Sequence, residues 1–157
     1  MVNTFNRYEI EIADSACRCI EVNGRKTKHF VAPDTKPGIQ KLYVVKDGKD
    51  ICYVGITSQP IGSRLRIGFI DSGHYGYHGY KWKDKLERAE LLIWTFPDLT
   101  RECVEAIEAE LVYYIREKTD SWPKYQMEIH FHEASEEERQ VAKSILEVCL
   151  GEEIGRY

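Results

Sequence analysis

A chain of 157 residues, 43% hydrophobic and 31% charged, has room for one compact domain and little more. No apolar run approaches the roughly 18 to 20 residues of a membrane span. The opening stretch from Met1 to Glu9 also lacks the basic-then-apolar pattern of a secretory signal, so a cytoplasmic protein with no membrane partner is expected.

The elements follow in chain order. Tyr8 to Ile12 alternates as a strand, and the segments Cys17 to Val22 and Thr27 to Val31 flank Asn23 and Gly24, a strong hairpin signal. Pro33 to Gly38 reads as a loop. A second hairpin follows, with Lys41 to Val45 and Ile51 to Gly55 as arms. Pro60 to Arg66 predicts a short helix that opens on proline, Gly68 to Gly79 an irregular segment, Trp82 to Leu86 a short helix, and Glu90 to Phe96 an apolar strand. A long helix starts at Thr100 as N-cap, and its apolar stripe runs through Val104, Ile107, Leu111, Val112 and Ile115. Glu128 to His132 reads as a strand. Ser135 and Glu138 have capping-box spacing and open a last helix that stops at Gly151. Strands first and mixed helices and strands later give an α+β class: a small, mainly antiparallel sheet flanked by helices, with an N-terminal β-hairpin extension over 1–39 and the main domain over 40–157.

The five cysteines, Cys17, Cys19, Cys52, Cys103 and Cys149, have no zinc-ligand rhythm and are expected to be reduced, buried thiols. The net charge of −4 weighs against a nucleic-acid protein, because phosphate contact needs clustered Lys and Arg. Distribution matters more than the total. Acidic residues gather from Glu128 to Glu153, whereas the stretch from Lys41 to Arg88 is basic.

Three features could carry chemistry. Tyr43 and Tyr53 stand on the two arms of the second hairpin. A three-residue loop, Asp47 to Lys49, would set them opposite each other on one face, and a two-residue loop would pair Tyr43 with Cys52 and separate them. Strand tyrosines are ordinarily packing residues. Glu108 lies within the apolar stripe of the long helix, where an ionised carboxylate is costly unless it pairs or binds a cation; Glu110 falls about 200° further round. Arg64 and Arg66 follow the hairpin, and an arginine fork suits two phosphate oxygens.

Taken in order, these residues resemble the GIY-YIG nuclease family. The first motif is matched by Lys41, Leu42 and Tyr43, of which only the tyrosine is strict; the second is matched closely by Tyr53, Val54 and Gly55. The family's arginine fits Arg64, its metal-binding glutamate fits Glu108, and a Pro-x-Tyr-Asn segment is matched by Pro123 to Gln126. The chain departs at Lys41, at Gln126 and at Gly68, which stands where a tyrosine or histidine is expected four residues after the arginine. His74, Tyr75, Tyr77 and His78 are nearby candidates for that role.

The resemblance implies a metal-dependent DNA endonuclease. Tyr43, Tyr53, Arg64 and Glu108 would be its catalytic residues, with Tyr43 as proton acceptor, and Glu108 would be the ligand of Mg²⁺ or Mn²⁺. Arg66, His74, Tyr75, Tyr77, His78, Lys81 and Lys83 are candidates for contact with DNA, the partner implied. A restriction role and a homodimer are left open. The alternative is a non-catalytic binding module that keeps the fold.

Overall fold

The computed structural model describes residues 4–70 and 79–151. Six strands form one antiparallel sheet: β1 (Phe5–Ala13), β2 (Ala16–Val22), β3 (Arg25–Lys26), β4 (Gln40–Asp47), β5 (Asp50–Thr57) and β6 (Arg88–Phe96), in the order β3-β2-β1-β6-β4-β5. The helices are α1 (Ile61–Ile70), α2 (Arg101–Thr119) and α3 (Glu136–Leu150). The class is α+β, as expected. Among the described residues no helix is long and apolar enough to cross a membrane.

Strand alternation gives the sheet two buried faces. One carries Leu42, Val44, Leu92, Trp94 and Phe96 and is covered by α2 and α3 through Val104, Ile107, Leu111 and Ile145. The other carries Tyr8, Ile10, Tyr43, Val45, Leu91 and Ile93 and is covered by α1 through Ile61, Leu65 and Phe69, together with Tyr80 and Trp82. Helix ends follow their caps. Thr100 Oγ1 accepts from the Cys103 N–H, Ser135 and Glu138 close a capping box, and Gly151 ends α3 at φ 72°.

The N-terminal stretch is built into the sheet, because β1 pairs with β6 in the middle of it. A buried polar knot ties it to the start of β4. The Tyr8 hydroxyl donates to Asp34 Oδ2 at 2.5 Å. Lys41 has no exposed surface, and its ammonium donates to the carbonyls of Lys36, Ile39 and Gln59 at 2.8 to 2.9 Å. At the position of the first motif's glycine, then, the chain holds a structural cation.

Four sequence expectations change. The second hairpin takes neither register considered: its loop is Gly48 and Lys49, Asp47 pairs with Asp50, and a bulge then shifts the ladder so that Val45 faces Tyr53 and Tyr43 faces Gly55. The bulge makes Cys52 the extra residue, turning Cys52 and Tyr53 to the same face. Tyr43 and Tyr53 therefore share a face as diagonal neighbours. Thr27 to Val31 is no strand: β3 ends at Lys26, and the Val31 N–H donates to the Tyr8 hydroxyl rather than to a ladder. Trp82 to Leu86 is reduced to a single 3₁₀ turn, Lys81–Asp84. Glu128 to His132 is not a strand either, because the neighbouring edge of β5 is already taken: the Lys124 and Tyr125 N–H groups donate to the Ile51 and Cys52 carbonyls, and Gln126 bonds Val54.

Candidate active site

β5 is the last strand of the sheet, and a cavity of about 320 Å³ opens along its edge. Residues from both faces reach it. Tyr53 comes from the side of α1, with Arg64 from α1 itself and Tyr80 from the segment before the 3₁₀ turn. Glu108 and Arg101 come from α2, and Gln126 and Glu128 from the segment that follows it.

The phenols are placed by two glycines. A β-carbon at Gly55 would lie 2.6 Å from the end of the Tyr43 ring and 2.8 Å from that of Tyr53, so the glycine of the second motif is required by space rather than by backbone conformation. At Gly68 a β-carbon would lie 2.0 Å from the Tyr80 ring. A glycine inside a helix is destabilising by about 1 kcal/mol against alanine, and here it admits an aromatic ring. The space at Gly68 is thus filled by Tyr80, twelve residues further along. The structure brings Tyr80 in where the sequence reading had named His74, Tyr75, Tyr77 and His78, which lie outside the described residues. The sequence signal for Tyr80 was Gly68 itself.

Tyr43 belongs to the cluster but not to the cavity wall. It has no exposed surface, and its hydroxyl lies 2.6 Å from that of Tyr80. Burial pushes its phenol well above the ordinary range, the neighbouring Tyr80 adds to this, and Arg64 opposes it. The Arg64 guanidinium sits 5.0 Å from the centre of the Tyr80 ring, a cation–π contact.

Glu108 is half-buried, and its carboxyl is pushed up to about 7. Burial is the main cause. Glu105 raises it further, Arg101 opposes, and Glu128 adds to the rise. Glu110 points elsewhere, lining another cavity with Tyr113 and Phe131 and lying 3.9 Å from Arg139. The helix therefore sends Glu108, not Glu110, to the site. Among the described residues no three His, Cys, Asp or Glu side chains gather as a metal-ligand set. A cation held by one carboxylate and by water still fits Glu108, since Mg²⁺ keeps several waters and a positive charge would relieve the strain of ionising a carboxylate beside Glu105 and Glu128.

Gln126 uses its amide on the sheet. Oε1 accepts from the Val54 N–H at 2.9 Å and Nε2 donates to the Val54 carbonyl at 3.1 Å. Of the residues expected to contact DNA, Lys81 lines the cavity, while Arg66 is exposed in a separate groove with His29, Phe30 and Ser63. Lys83 is half-buried in the 3₁₀ turn. All five cysteines are free thiols; Cys19, Cys52 and Cys149 are buried, and Cys17 and Cys103 are half-buried. The sequence reading also missed Arg101, Glu128 and His130 at the cavity. They sit on a helix start and an irregular segment, where no periodicity marks them. No family model matches the chain, and no curated protein or solved structure matches it significantly.

Proposed function

We propose that this chain is a metal-dependent endonuclease of the GIY-YIG type that hydrolyses phosphodiester bonds in DNA. The observation that carries the reading is the convergence of Tyr53, Arg64 and Glu108, from three different elements, on one cavity at the edge of β5. Phosphodiester hydrolysis needs a cationic fork for the phosphate, a polar wall to orient water, and a carboxylate for a divalent cation. Arg64 supplies the fork. Tyr53 orients the water. Glu108 would hold Mg²⁺ or Mn²⁺, which supplies charge neutralisation for the leaving oxygen. Lys81 and, on the other flank of α1, Arg66 would meet the phosphates of the strand. Five free thiols support a reducing, cytoplasmic setting.

The second reading, a binding module that keeps the fold without the reaction, is favoured by one observation. Tyr43 is covered, and its burial keeps the phenol protonated and away from water. Mixed-sequence duplex DNA incubated with the purified chain and Mg²⁺ or Mn²⁺ separates the two. The nuclease reading expects internal cuts that a chelator abolishes. DNA that is bound but never cut in either metal would leave the binding module standing.

A further inference from the structure

Three phenols stand together at the inner wall of the cavity. Tyr53 and Tyr80 line it, and Tyr43 lies behind them, its ring centre 5.9 Å from that of Tyr53 and 6.5 Å from that of Tyr80. The hydroxyls of Tyr43 and Tyr80, 2.6 Å apart, form a short hydrogen bond in which either could donate.

We propose, on the nuclease reading given above, that Tyr80 is the catalytic phenol that takes the proton of the attacking water, while Tyr43 is a positioning residue that donates to the Tyr80 oxygen and does not meet the water. Three observations select Tyr80. First, Tyr80 lines the cavity with 3% of its surface exposed, whereas Tyr43 has no exposed surface and does not line it. Second, the burial and the neighbouring Tyr80 that raise the Tyr43 phenol hold its proton in place, so its hydroxyl is the one that donates across the 2.6 Å contact to the Tyr80 oxygen. Third, the Arg64 guanidinium lies over the Tyr80 ring and stabilises a negative charge there.

The step balances as follows. The pair releases one proton to solvent, leaving Tyr80 as phenolate with the Tyr43 hydroxyl donating to it. An O–H bond of the water breaks, and its proton passes to the Tyr80 oxygen. The water oxygen bonds to phosphorus and the P–O bond to the leaving strand breaks. The leaving oxygen keeps that electron pair and takes a proton from solvent. A general base of this kind contributes roughly 10² to 10⁴-fold to a rate.

Single-turnover cleavage of mixed-sequence duplex DNA with Mn²⁺, followed across a range of pH for the wild type, Tyr80→Phe and Tyr43→Phe, tests the assignment. Both variants keep their rings, and the Tyr80 ring stays stacked on Trp82 at 4.7 Å, so folding and DNA binding should be retained. Tyr80→Phe is expected to lose roughly 10² to 10⁴-fold and to lose the rise of rate with pH. Tyr43→Phe is expected to lose less than Tyr80→Phe, roughly 10 to 10²-fold, the worth of one hydrogen bond to a charged group, with the pH profile displaced to higher pH. An active wild type whose Tyr43→Phe variant loses as much as Tyr80→Phe, or whose Tyr80→Phe variant keeps its pH dependence, overturns the assignment and leaves the nuclease reading intact. A wild type that cuts nothing overturns both.

Discussion

The two faces of the sheet are built from different material. Under α2 and α3 lie Leu42, Val44, Leu92, Trp94 and Phe96, which pack against Val104, Ile107 and Leu111 of α2. Under α1 lie Tyr43, Tyr80, Trp82 and Tyr8, with two glycines giving up their side chains to make room for phenols. Both faces are packed cores, and on the nuclease reading the α1 face also supplies the phenols and Arg64, with the cavity forming where β5 ends the sheet and Glu108 reaches it from α2.

That division can be tested by comparing damage to activity with damage to stability. A large loss of activity is expected from Arg64→Ala, which removes the proposed phosphate fork: cleavage should fall roughly 10² to 10³-fold, while thermal unfolding changes by no more than about 1 kcal/mol. Ile107→Ala should show the reverse, losing about 2 to 5 kcal/mol of stability in a denaturant titration while the cleavage rate per folded molecule is unchanged. A drop in that rate would mean that the α2 face is coupled to the chemistry. Gly68→Ala should do both, with overpacking against Tyr80 destabilising the fold by about 1 to 3 kcal/mol and cleavage falling towards the level of Tyr80→Phe. Wild-type cleavage in Gly68→Ala would show that the position of Tyr80 is unimportant.

One stability effect depends on pH. Glu108 titrates at about 7 in the fold and near the ordinary glutamate value of about 4.3 when unfolded. Below about pH 4 both states hold the proton and the group is neutral to stability. Between those values the folded state keeps a proton that the unfolded state has lost, so stability falls as pH rises and the loss is complete above about pH 7 to 8. Glu108→Gln removes that loss. Without metal it should be about 1 to 3 kcal/mol more stable than the wild type near pH 8 and equal to it near pH 4. Equal stability at both would mean that Glu108 ionises freely in the fold.

What was legible in the sequence follows the same division. The two long helices were readable from Thr100, Ser135, Glu138 and a stripe of aliphatic residues, because capping and 3.6-residue periodicity are local. Whether Tyr43 and Tyr53 share a face was left open between two registers, and the structure takes neither: a bulge at Cys52, which no local pattern announces, puts them on one face. Tyr80 was missed because its partners, Gly68, Tyr43 and Arg64, are distant in sequence and meet only through the packing of α1 on the sheet. The alternation from Glu128 to His132 suggested a strand, but a strand needs a partner, and Lys124 to Gln126 had already occupied that edge.

The most direct test compares Glu108→Gln with Glu110→Gln, two changes of identical chemistry one short step apart on α2, in Mg²⁺- and Mn²⁺-dependent cleavage of duplex DNA. Glu108 lines the cavity and Glu110 faces the side of Arg139. The account predicts that Glu108→Gln binds DNA but does not cut it, whereas Glu110→Gln cuts at the wild-type rate. Cleavage that survives Glu108→Gln, or that is lost in Glu110→Gln alone, would contradict it.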